Sequence, residues 1–106
     1  MKSVKKYAFL LMNPAFHDQD IQIDVEGIEH HIVAVRNEQE ALEKAKVLVE
    51  EGIGVIEVCG AFGEELAKQM WQACDRRIPI GYVTYPADQE EALALFWQNE
   101  TGKGEK

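Results

Sequence analysis

A chain of 106 residues has the size of one domain and can bury a real core with little surplus. With 46% hydrophobic and 28% charged residues it is too apolar for a disordered chain. Its net charge of −8 repels polyanions, which argues against nucleic acid and anionic membrane surfaces as partners.

The basic start Met1-Lys-Ser-Val-Lys-Lys6 imitates the n-region of an export signal, but the apolar run Tyr7–Met12 is shorter than the ~7–15 residues of an h-region. No apolar run reaches the roughly 18–20 residues of a membrane helix. A cytoplasmic protein is expected. Lys6–Met12 is a continuous apolar run, the type found in a strand covered on both faces. Asn13-Pro14 ends it. In the segment 15–30 the acids Asp18, Asp20, Asp24, Glu26 and Glu29 accumulate without a Lys or Arg, as in a solvated loop. Ile21, Ile23 and Val25 alternate with period two, and Glu26-Gly27 has turn chemistry. An extended or irregular crossover is expected there, with an added edge strand against His31–Arg36 as an option.

His31–Arg36 is the second predicted strand. Asn37-Glu-Gln-Glu40 then resembles a capping box, with Ala41, Leu42, Ala45, Leu48 and Val49 at helical spacing and Gly52 as a left-handed stop. Ile53–Cys59 is the third strand. Gly60 and Gly63 frame the turn into a second helix, from about Phe62 to Asp75. Pro79–Tyr85 is the fourth strand, with Pro79 at its tolerant first position. A third helix runs from Asp88 to about Gln98. The expected domain spans residues 1–98, with 99–106 as a flexible tail.

Strands separated by helices predict right-handed βαβ units. The expected fold is a single small three-layer α/β domain. Its sheet is mainly parallel and four-stranded, in the order 2-1-3-4 of a flavodoxin- or Rossmann-like domain. Cys59 and Cys74, separated by a helix of ~1.5 Å rise per residue, should stand on the order of 20 Å apart. A disulfide spans at most about 7 Å between Cα atoms, so both should be free thiols.

In that order the loops after the first and third strands meet at a switch point, where open α/β sheets bind ligands. The candidate ligand-binding residues are Asn13, Pro14, Phe16, Gly60, Ala61, Phe62, Gly63 and Tyr85. The glycine turn and the first helical amides suit an anionic oxygen, although water serves such amides as well. Glu57 is a charge inside an apolar run, readable as a general base or as one half of a structural pair with Arg36, His17 or a loop amide. Cys59 is a candidate nucleophile or a small core hydrophobe, and His17 its candidate base. His17, Glu57 and Cys59 are metal-ligand types, but no paired spacing joins them and no metal is assigned; Gly60-x-x-Gly63 is half of a dinucleotide fingerprint without a P-loop pattern, so the cofactor stays unknown. Phe16, Phe62 and Tyr85 either wall an apolar pocket or lid the core.

Ala92-Leu-Ala-Leu-Phe-Trp97 is apolar around most of a helix, more than one sheet face needs. With Trp71, this predicts a homo-oligomer built through the third helix, or a helix wedged against segment 15–30. Three functions follow as expectations: binding of a small anionic metabolite, a lyase, isomerase or hydrolase using Glu57 with Cys59 or His17, and an interaction protein acting through the third helix.

Lys6–Leu10, Asn13, Pro14, Phe16, Val49–Gly52 and above all Ile56–Gly63 (Ile-Glu-x-Cys-Gly-x-Phe-Gly) resemble a family of small prokaryotic proteins, a domain of unknown function. The resemblance implies a compact α/β domain and assigns no activity.

Overall fold

The computed structural model describes residues 5–101. Five strands, β1 (Lys5–Met12), β2 (Gln19–Val25), β3 (Ile28–Val35), β4 (Val55–Val58) and β5 (Ile80–Tyr82), form one sheet with three helices, α1 (Glu38–Glu50), α2 (Gly63–Ala73) and α3 (Glu90–Thr101). The strand order is β2-β3-β1-β4-β5. This corrects the expected four-stranded sheet of order 2-1-3-4. The segment 15–30 supplies a fifth strand, and that strand pairs antiparallel, Ile21 opposite Ile32 and Ile23 opposite His30. The remaining pairs, β1 with β3 and with β4, and β4 with β5, are parallel.

Local chemistry explains the β2–β3 hairpin. Glu26 and Gly27 both take positive φ, 51° and 82°, the two-residue turn whose twist matches that of paired strands. The Asn37 side chain accepts from the Glu40 amide at 2.9 Å and caps α1. The Glu40 carboxylate reaches back one residue further than a capping box requires and accepts from the Arg36 amide at 2.8 Å. Gly52, at φ 96°, ends α1 in the left-handed conformation that glycine adopts without a Cβ clash. The α3 helix is preceded by a 3-10 turn, Ala87–Gln89, and runs to Thr101. The expected tail from residue 99 therefore begins inside α3, and its residues 102–106 lie outside the described part.

The core lies on one face of the sheet. Ala8, Leu10, Val33, Val35, Ile56 and Val58 point toward Ala41, Ala45 and Leu48 of α1 and Leu66, Ala67 and Met70 of α2, all buried. α1 passes from β3 across β1 to β4, and α2 passes from β4 to β5. Right-handed crossovers that advance in one direction place both helices on the same side. The connection from β1 to β3 is a strand and a hairpin turn, so no helix crosses the opposite face. α3 packs chiefly on the 3-10 turn before it. The expected third layer is thus missing among the described residues, and the domain has two layers. Along β1 the residues facing away from the helices, Tyr7, Phe9 and Leu11, stay partly exposed, and on β2 Ile21, Ile23 and Val25 are 46–48% exposed. Cys59 is half-buried and Cys74 buried, both free.

Candidate functional site

Because β1 is hydrogen-bonded to both β3 and β4, the loops after β1 and β4 emerge side by side at the C-terminal edge of the parallel strands. The Cys59 amide donates to the Leu10 carbonyl at 3.0 Å, extending the ladder to the start of the glycine turn. There Phe62 closes a turn by donating its amide to the Cys59 carbonyl at 3.0 Å. Gly63 takes φ 77°, which a side chain would strain. Val83 donates to Val58 at 3.0 Å, so the chain after β5 follows this edge too. A Cβ on Gly60 would stand 3.9 Å from the Val83 carbonyl oxygen.

These three segments border a crevice of about 490 Å³, within the range of small-molecule sites. Met12 and Asn13 come from the end of β1, Gly60 and Ala61 from the turn after β4, and Val83, Thr84 and Tyr85 from the chain after β5. The fourth wall is α3, through Glu90, Leu93 and Trp97. Those positions, three and seven residues apart, lie on one side of the helix. The Asn13 side-chain oxygen is engaged, accepting from the Ala15 amide at 2.9 Å. Its amide group, the Thr84 hydroxyl and the Tyr85 hydroxyl supply the polar points of an otherwise apolar wall. Glu90 is the only charged side chain in that lining among the described residues.

Of the residues expected from sequence, Asn13, Gly60, Ala61 and Tyr85 are together in the crevice. Phe62 is buried in the core at 6% exposure, lidding it from below α2. Pro14, Phe16 and Gly63 border no part of the lining. Among the candidate catalytic groups, His17 is exposed and outside the crevice, and Cys59 packs against the core just before Gly60. Glu57 is exposed on the bare face of the sheet, not on the crevice floor. Its partner is neither Arg36, His17 nor a loop amide. The Tyr7 hydroxyl donates to its Oε1 at 2.8 Å. The apolar run around Glu57 is of the type expected to be covered on both faces, and it is open on one because the third layer is absent among the described residues.

Sequence reasoning passed over Thr84, Glu90, Leu93 and Trp97. The available signal was the spacing of the last three on α3, masked by the apolar surplus around them. No group of three or more His, Cys, Asp or Glu that could hold a metal occurs among the described residues, and no helix among them is long and apolar enough to cross a membrane.

Elsewhere, His31 sits between two carboxylates. Its Nδ1 is 2.9 Å from Asp20 on β2, and its Nε2 is 2.7 Å from Glu29 on its own strand. Both ring nitrogens can serve these acceptors only as the imidazolium. The Glu29 hydrogen bond leads in raising the His31 pKa above its usual 6.5, against an opposing burial effect, with Asp20 adding to the rise.

The sheet, its two helices and the edge crevice define a small mixed α/β domain with a hollow at a strand-order switch. Over residues 5–98 the chain matches Family of unknown function (DUF6506), and it belongs to that family. Comparison with curated proteins and with solved structures gives no match.

Proposed function

We propose that the chain binds a small organic molecule in the crevice between the β1 and β4 loops and α3. The observation that carries this reading is the convergence of three strand-end segments and one helix face on a hollow of about 490 Å³. Its wall is mostly apolar with a few separated polar groups, the composition that binds a compact ligand and fixes its orientation. A neutral or cationic ligand suits this wall better than the anion suggested by the glycine turn alone. Glu90 is the single charge in the lining among the described residues, and the first turn of α2 already carries Glu64 and Glu65, which answer the helix dipole.

The polar groups favour binding over catalysis. Glu57 and His17 lie outside the lining, so the acid–base pair that an enzyme reading requires is not assembled there. Trp97 provides the test. In a Trp71→Phe background it is the remaining tryptophan, and titration with phenethylamine, an aromatic ammonium probe, should change its emission saturably. Glu90→Gln should weaken that binding and leave the melting temperature in place. A Trp97 signal unmoved by this probe and by its neutral and carboxylate analogues contradicts the reading.

A further inference from the structure

The bare face of the sheet and the outer side of α3 carry an inference independent of the crevice. On that face, Ile21, Ile23 and Val25 of β2 are nearly half exposed, and Phe9, Leu11 and Ile32 are only partly covered. Parallel strands are apolar on both sides because helices normally cover both, and β1 has that composition with one side uncovered. Five strands of three to eight residues, spaced ~4.8 Å apart, outline a face on the order of 500 Å². Lys5, His30 and Glu57 share that face with the apolar side chains.

α3 has the complementary defect. Its crevice side holds Glu90, Leu93 and Trp97. Ala92 and Leu95 lie on the opposite side, and Phe96 flanks them, its ring edge-on to Trp97 at 5.0 Å between centroids; Leu95 and Phe96 are 53% and 59% exposed. The chain extends 53 × 29 × 28 Å with a radius of gyration of 15.3 Å, against about 13 Å for a compact domain of this length.

We infer that the occupant of the bare face is a second copy of this chain, whose α3 lies across it through Ala92, Leu95 and Phe96 while its own sheet receives the first copy's α3. Each copy thus supplies the helical layer the other lacks. The exchange is two-fold and closes on itself. The sheet face and the roughly 200 Å² offered by Leu95 and Phe96 together approach the ~800 Å² that each partner contributes to a standard interface. Charge does not drive the contact, because both copies carry −8. The segment Ala92–Trp97 is uncharged, and on the sheet face Glu57 is already answered by Tyr7. Salt should therefore strengthen the association by screening the mutual repulsion.

Sedimentation equilibrium of the full chain, at low and high salt, tests this. A dimer that tightens with salt is expected. Phe96→Asp on the helix and Ile23→Asp on the sheet should each weaken it by at least about tenfold, with the circular dichroism of the folded protein retained. Should Phe96→Asp fail to fold, the Ile23→Asp result stands alone. In mixed dimers of differently labelled protomers, isotope-filtered NMR should connect the Phe96 ring of one copy to the Ile21 and Ile32 methyls of the other. A monomer at high micromolar concentration overturns the inference. So does a dimer indifferent to Ile23→Asp, or one whose contacts omit α3.

Discussion

The Tyr7 hydroxyl and the Glu57 carboxylate face each other across β1 and β4 at 2.8 Å, two polar groups on the side of the sheet that no helix covers among the described residues. Burial, then the hydrogen bond and the charge of Glu57, push the Tyr7 pKa from its usual 10.0 up to about 12. The folded value lies above the unfolded one, so the associated stability is fully present below about pH 10 and is lost as pH rises toward 12. In a spectroscopic titration of the three tyrosines, Tyr7 should ionise last. Glu57→Gln should bring it part of the way down, leaving the share due to burial. A Tyr7 that titrates with an ordinary tyrosine would show that the pair is not formed.

The His31 bridge predicts the opposite end of the pH scale. Its folded pKa is raised, so its contribution is complete below the unfolded value of about 6.5 and disappears as pH climbs through the raised value. Histidine NMR titration should find the His31 midpoint above 6.5. Glu29→Gln and Asp20→Asn should each lower that midpoint. A midpoint indifferent to both would contradict the geometry.

The one-sided core predicts an asymmetry between adjacent layers. Leu10 is fully buried, and Leu10→Ala should cost about 2–5 kcal/mol in denaturant unfolding. Ile23 is 46% exposed, and Ile23→Thr, measured dilute enough to keep the chain monomeric, should stay within about 0.5 kcal/mol of the parent. Comparable losses at both positions would mean that the bare face is covered within one chain.

The cap of α1 predicts a smaller effect. Asn37→Ala removes the acceptor of the Glu40 amide and should cost about 1 kcal/mol, while Asn37→Ser should recover most of it. No loss on Asn37→Ala would assign the helix start to the Glu40 carboxylate instead.

Much of the fold was legible because its signals are local. The alternation of Ile21, Ile23 and Val25, followed by Glu26-Gly27, marks the hairpin that became β2 and β3. Asn37 and Gly52 mark the two ends of α1. The parallel neighbours of β1 followed from the alternation of strands and helices. The missing layer was not legible, because an apolar run such as Tyr7–Met12 reads alike whether a helix of the same chain or something else covers its second side. Glu57 held the clue. A carboxylate in mid-strand was read as an anomaly of a buried strand, and it marks the side left open. At the crevice, Asn13, Gly60 and Ala61 were legible from topology. Leu93 and Trp97 were not, because the approach of α3 to the strand ends is a tertiary fact that helical periodicity does not encode.

The hollow beside Asn13, Gly60 and Thr84 is proposed to hold a small molecule. The most direct measurement is an amide NMR correlation spectrum of the labelled protein titrated with phenethylamine and with its neutral and carboxylate analogues. Saturable shifts concentrated at Gly60, Ala61, Val83 and Thr84 and at the Trp97 indole, largest for the ammonium compound, are predicted. Shifts confined to Ile21–Val25 and the rest of the bare face, or none with any of the three, would contradict the account.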